Sequence, residues 1–171
     1  MLKKLNTEES GFNPETLMST SYQERNNWIE LLVAVWALAY YGVTLATVEG
    51  GMRADLSYFL PFVVQVIVVS IVGGAVLAIL NRVLSSEGSD AKDEMDKAID
   101  LYGYRAAYWV MSFLLMGVVF LALFNERMGD DETGLQMGTT NLMVHALFMV
   151  AAVSGLVQSV TQIYFYRRGL V

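Results

Sequence analysis

The sequence predicts an all-α integral membrane protein: a bundle of four transmembrane helices built as two antiparallel hairpins. Composition is the first observation behind this. Of the 171 residues, 55% are hydrophobic and only 16% charged, where a soluble domain carries about 25%; the mean hydropathy is +0.45. Grouping is the second. Apolar residues gather in four runs, 28–48, 58–80, 106–124 and 142–165, each roughly 20 residues and so about the length that crosses a 30 Å hydrocarbon core. The third is that few charges interrupt these runs. Backbone inside lipid must satisfy its own hydrogen bonds, so each run has to be a helix.

In chain order, residues 1–27 form a polar segment expected in the cytoplasm. Lys3 and Lys4 are followed by Asn, Thr, Glu and Ser, with no apolar core of signal-peptide type, so no cleavage on export is expected. Residues 28–171 form the transmembrane domain, with helices expected over 28–48, 57–82, 90–124 and 138–166. The links 49–57 and 125–137 are short and make helices 1–2 and 3–4 hairpins. The middle link is longer. Ser85-Ser86-Glu87-Gly88-Ser89 has turn composition, and a helix is expected to resume at Asp90. Met95, Ile99, Tyr102 and Ala106 then share one face. Asp93, Asp96 and Asp100 fall on the other, a candidate docking face for a cytoplasmic protein partner. Helix 3 thus begins two or three turns before the membrane.

Positive charge sets the orientation. Lys3, Lys4, Arg25, Arg82, Lys92, Lys97, Arg105, Arg167 and Arg168 lie on one side, against Arg53 and Arg127 on the other. The positive-inside rule places both termini and the middle link in the cytoplasm. A weak repeat appears at a shift of 70 residues, with Glu24, Asn26, Ile29, Glu30 and Leu31 over Glu94, Asp96, Ile99, Asp100 and Leu101. It reads either as two duplicated hairpins or as the shared acidic-then-apolar composition of helix starts.

Three segments resemble a known group. Glu-Arg-Asn-Asn-Trp-Ile-Glu-Leu at 24–31, Asp-Glu-Met-Asp-Lys-Ala-Ile-Asp at 93–100 and Tyr-Arg-Arg-Gly at 166–169 are similar to motifs of small bacterial four-helix integral membrane proteins. In that group a Lys/Glu-Arg-x-x-Trp-Ile-x-Leu start precedes helix 1. An Asp-Glu-Arg-Asp-x-x-Ile segment precedes helix 3, and Tyr-Arg-Arg-Gly closes helix 4. Met95 stands where the group has arginine. The resemblance covers most of the chain from Glu24 onward. It implies a four-helix fold in the bacterial inner membrane, and it carries no activity with it.

Candidate chemistry is sparse. The chain has no cysteine and a single histidine, which excludes disulfides, thiol catalysis and bis-histidine haem ligation within one copy. His145 is expected near the outer interface, hydrogen-bonded to a neighbouring helix or loop. The alternative is haem held in an oligomer by a second His145, or by Met143 or Met149. The acidic clusters Asp93, Asp96, Asp100 and Asp130, Asp131, Glu132 lack the spacing of a calcium loop and read as solvated charge. A net charge of −6 argues against nucleic acid. No charged residue is expected near mid-depth, where coupled transporters keep one. Gln65, Ser70, Ser112, Ser154, Gln158, Thr161 and Gln162 are expected to bond between helices.

Small residues recur every fourth position at Ser70, Gly74 and Ala78 on helix 2, and at Ala151, Gly155 and Ser159 on helix 4. Such faces let helices approach closely in lipid. They are expected to pack within the bundle or against a second subunit. The functional expectation is a non-catalytic membrane protein surrounded by lipid and acting through contacts: a homo-oligomer, a membrane-bound regulator or an accessory subunit of a larger complex. A small oligomeric channel or transporter is the alternative. No metal or cofactor is expected.

Overall fold

The computed structural model describes residues 21–84, 92–127 and 139–169. Among these residues the chain is four long helices and two single 3-10 turns, with no strand: α1 Tyr22–Thr47, α2 Phe59–Leu84, α3 Glu94–Arg127 and α4 Thr139–Arg168. All four are long and apolar enough to cross a membrane. The protein is a multi-pass, all-α, four-helix membrane protein.

Each helix starts where a cap allows it, and this displaces several expected boundaries. The α1 helix begins six residues before the apolar run. Ser21 accepts a hydrogen bond from the Glu24 backbone N–H at 3.1 Å, satisfying one of the donors that a helix start leaves open. Residues 22–27, expected in the polar segment, therefore belong to α1. At its far end, Gly50 and Gly51 take φ values of +88° and +55°, conformations that glycine adopts without penalty. They fold the chain into the first 3-10 turn, Gly51–Arg53.

Asp55 caps the second turn, Leu56–Tyr58, accepting from the Ser57 N–H at 2.8 Å. The α2 helix follows with Pro61 in its first turn, where the missing N–H is no loss. The α3 helix was expected from Asp90, which lies outside the described residues. Lys92 and Asp93 are not helical, and α3 starts at Glu94. Asp93 and Asp96 cap it reciprocally: the Asp96 N–H donates to Asp93 Oδ1 at 2.6 Å and the Asp93 N–H to Asp96 Oδ2 at 3.2 Å. With 34 residues it is about 50 Å long, some 20 Å more than the hydrocarbon core. The α4 helix closes on Gly169, whose φ is +76° and whose N–H bonds Phe165 O at 2.9 Å.

The helices follow the order α2, α1, α4, α3: α1 packs against α2 and α4, and α4 against α1 and α3. Chain starts meet chain ends. Arg25 in α1 reaches Asn81 in α2, and Asp96 in α3 reaches Tyr166 in α4, so both hairpins are antiparallel. The α4 helix buries the largest share of its apolar stretch, and α2 and α3 the smallest. One core lies where α1, α2 and α4 meet. Tyr41 packs tilted against Phe148 at a centroid distance of 4.6 Å, and Phe62 lies 5.7 Å from each ring. Outside it, Tyr108, Trp109, Phe113, Met116 and Phe120 of α3 all face outward. A lipid-facing wall needs no polar face, because acyl chains are as apolar as the side chains.

At a constant shift of 70 the match is confined to the helix starts: Asn26 is bound by Asn81, whereas its counterpart Asp96 is bound by Tyr166, so the second hairpin is the longer.

Candidate functional site

Polar side chains collect at the two ends of the bundle, and at each end they join helices. At the end where α1 begins and α4 finishes, Glu24 is 5% exposed. Its Oε1 lies 2.5 Å from Arg167 Nε and accepts from Trp28 Nε1 at 3.4 Å. A buried carboxylate without such partners would be expensive. The pairing explains why Glu24, at the third helical position, does not fold back to complete a capping box with Ser21. It is turned instead onto α4.

Asn81 does the same work between α1 and α2. Its Oδ1 accepts from Arg25 Nε at 2.8 Å, and its Nδ2 donates to Asn26 Oδ1 at 2.7 Å and to Tyr22 O at 3.2 Å. One buried amide thus ties the last turns of α2 to the first turns of α1. Between α3 and α4, the Tyr166 hydroxyl donates to Asp96 Oδ1 at 2.6 Å. Gln162 Nε2 donates to Asp100 Oδ1 at 3.1 Å, and Lys92 bonds the other oxygen of Asp100. That carboxylate raises the pKa of the Lys92 ammonium above the ordinary lysine value.

Of the candidate docking face, Asp93 is an exposed N-cap, and Asp96 and Asp100 are half-buried and also bond residues of α4. The second acidic cluster, Asp130, Asp131 and Glu132, lies outside the described residues.

Within one chain the closest helix approach is not at Gly74 or Gly155. A Cβ built on Gly74 or Gly155 would meet no atom within 4 Å, so neither is a tight crossing within one chain. Ser159 is buried, Gly155 half-buried and Ala151 exposed; Ser70, Gly74 and Ala78 line an open groove. The tight approach is at Gly103, where a Cβ would lie 2.5 Å from Gln162 Cγ. Gln162 itself is 2% exposed. The sequence carried a signal for this: a lone glycine between Tyr102 and Tyr104, inside a helical pattern that it weakens by about 1 kcal/mol relative to alanine. Asn81 carried none beyond being an amide at the end of an apolar run. Of the polar residues expected to bond between helices, Gln65 accepts from Tyr40 at 2.8 Å and Gln162 reaches Asp100. Ser154 bonds its own helix at Val150 O, 2.7 Å away.

At the opposite end, His145 is 1% exposed, two turns into α4. Its Nδ1 and the Tyr41 hydroxyl share a hydrogen bond at 2.9 Å, and Phe59 packs edge-on at 4.6 Å. Nearby, Asn141 Nδ2 donates to Ala54 O at 2.8 Å, pulling the α1–α2 connection onto α4. His145 joins α4 to α1, as expected of a histidine bonded to a neighbouring helix. Haem does not fit this packing. One ring nitrogen is held by Tyr41, and the imidazole is enclosed by protein with no open side for a macrocycle. Among the described residues no three His, Cys, Asp or Glu side chains gather as a metal set.

The ends of the bundle are therefore latched by polar contacts, and the middle is apolar. Compared with known proteins, the chain matches no protein-family model, no curated protein and no solved structure.

Proposed function

We propose that the protein is a non-catalytic multi-pass membrane protein acting through contacts, in the first place with a second copy of itself, as a regulator or accessory subunit of a membrane complex. The observation that carries this reading is the groove between α1 and α2. Ser70, Gly74 and Ala78 form one wall, Asn26 and Glu30 the other, around about 330 Å³. Among the described residues no side chain fills it. A facing helix packs closely against small residues and adds polar contacts at the groove's charged end.

The polar groups elsewhere support a reading without catalysis. Glu24, Asp96, Asp100 and His145 each hold a neighbouring helix and none faces a cavity as an acid, base or nucleophile would. The nine-to-two distribution of lysine and arginine supports a place in the bacterial inner membrane with both termini cytoplasmic. Light scattering in mild detergent tests the reading. The expected mass is more than one chain, falling to a single chain for Gly74→Leu with an unchanged melting temperature. A parent protein of single-chain mass, or ion flux from it alone in liposomes, would replace this reading with a monomeric or channel function.

A further inference from the structure

On the opposite side of α2 from that groove, we infer that the protein has a second docking face for a copy of itself, where α2 packs in parallel on the partner's α2 and Gln65 pairs with the partner's Gln65. Gln65, Val69, Val72, Val76, Ile79 and Val83 follow one another at alternating steps of four and three residues. That spacing keeps side chains on one stripe of a helix and lets two such stripes interlock. All six are exposed, the valines from 39% at Val69 to 76% at Val83. By helical position the stripe lies across α2 from Ser70, Gly74 and Ala78. Every member except Gln65 is β-branched and confined at χ1, so packing the stripe against its counterpart costs little side-chain freedom.

Gln65 decides what covers the stripe. It lies about 14 Å from one end of the membrane-length stretch Leu56–Val83 and about 27 Å from the other. A hydrocarbon core of about 30 Å centred on that stretch encloses it. Its Oε1 accepts from the Tyr40 hydroxyl at 2.8 Å, and among the described residues its Nε2 donates to no acceptor. A primary amide carries two N–H donors and an oxygen with two lone pairs, and acyl chains offer it no acceptor. Lipid would cover the valines and leave those donors bare. A second copy inserted in the same sense carries Gln65 at the same depth, and an amide is its own complement. Each Nε2 then donates to the free lone pair of the other Oε1, beside the one that Tyr40 uses. One polar pair in an apolar seam also fixes the register, because a shift would set both amides against valine. The inference goes beyond the groove contact and does not depend on it. In detergent, water in the micelle can meet the amide, so this pairing belongs to the bilayer.

Cysteine cross-linking in native membranes tests it. Val72→Cys, in the middle of the stripe, should give a disulfide-linked dimer on mild oxidation, well above Phe113→Cys on α3. Adding Gln65→Leu should cut the cross-linked fraction several-fold, since an interhelical hydrogen bond is worth roughly three- to thirtyfold in association. Adding Tyr40→Phe, which removes only the bond within the chain, should leave the yield unchanged. So should Gly74→Leu, which blocks the groove on the other side of α2. Cross-linking of Val72→Cys no greater than that of Phe113→Cys would overturn the inference, as would a yield indifferent to Gln65→Leu. Loss of the cross-link with Tyr40→Phe would confine Gln65 to a role within the chain and overturn it too. Loss with Gly74→Leu would trace the cross-link to the groove, overturning the second face while the groove contact stands.

Discussion

Gly103 and Gly74 are both glycines within membrane-protein helices, and their surroundings assign them opposite roles. At Gly103 an added methyl would collide with a buried glutamine that is itself bonded to Asp100. Gly103→Ala should therefore destabilise the α3–α4 pair by about 1–3 kcal/mol, the usual cost of overpacking, read as a lower melting temperature in detergent. Gly74→Ala meets open space and should hold or slightly raise that temperature, because alanine favours the helix by up to about 1 kcal/mol. Asn81 is the other residue on which much depends. Asn81→Leu leaves Arg25, Asn26 and the Tyr22 carbonyl without their common partner, a loss of about 1–3 kcal/mol when such groups stay buried. Both effects depend on tertiary contacts. A period-four stripe of small residues is visible in the sequence; whether another helix lies across it is not, because that depends on which of several apolar faces pairs.

For the elements, hydropathy and caps hold different information. The four apolar runs were legible because nothing but a helix satisfies the backbone in lipid, and all four are present. Their ends were not legible from hydropathy, since α1 starts at a polar cap six residues earlier and α3 starts at Glu94. Caps carry that information in residues that hydropathy discards, Ser21 and Asp93. Asp93→Ala should cost the first turn of α3 about 0.5–2 kcal/mol, seen as faster hydrogen exchange of the amides at 96 and 97 and not of those in mid-helix. Asp55 gives a pH-dependent counterpart in the α1–α2 connection. The Ser57 backbone N–H lowers its carboxyl pKa below the ordinary value. A group with a depressed folded pKa contributes stability that is present above its unfolded pKa and lost as pH falls through the folded one. Exchange at Ser57 should therefore quicken only below the ordinary carboxylate range, and Asp55→Asn should remove that pH dependence.

For the whole molecule, the helix order α2, α1, α4, α3 leaves α2 and α3 largely bare and the α1–α2 groove open. Among the described residues Glu30 and Asn26 lie beside small residues in that groove. The distribution of lysine and arginine predicts that the end where α1 begins and α4 finishes faces the cytoplasm. A reporter after Val171 should read as cytoplasmic and one at Gly134 as external, and the reverse would overturn the orientation. Whether a second copy occupies the groove can be asked inside the membrane, because the chain has no cysteine of its own. Ala78→Cys, in the groove wall, should form a disulfide-linked dimer on mild oxidation in native membranes, while Phe113→Cys on the bare face of α3 should not. Equal cross-linking at the two positions, or none at Ala78→Cys, would contradict the proposed contact.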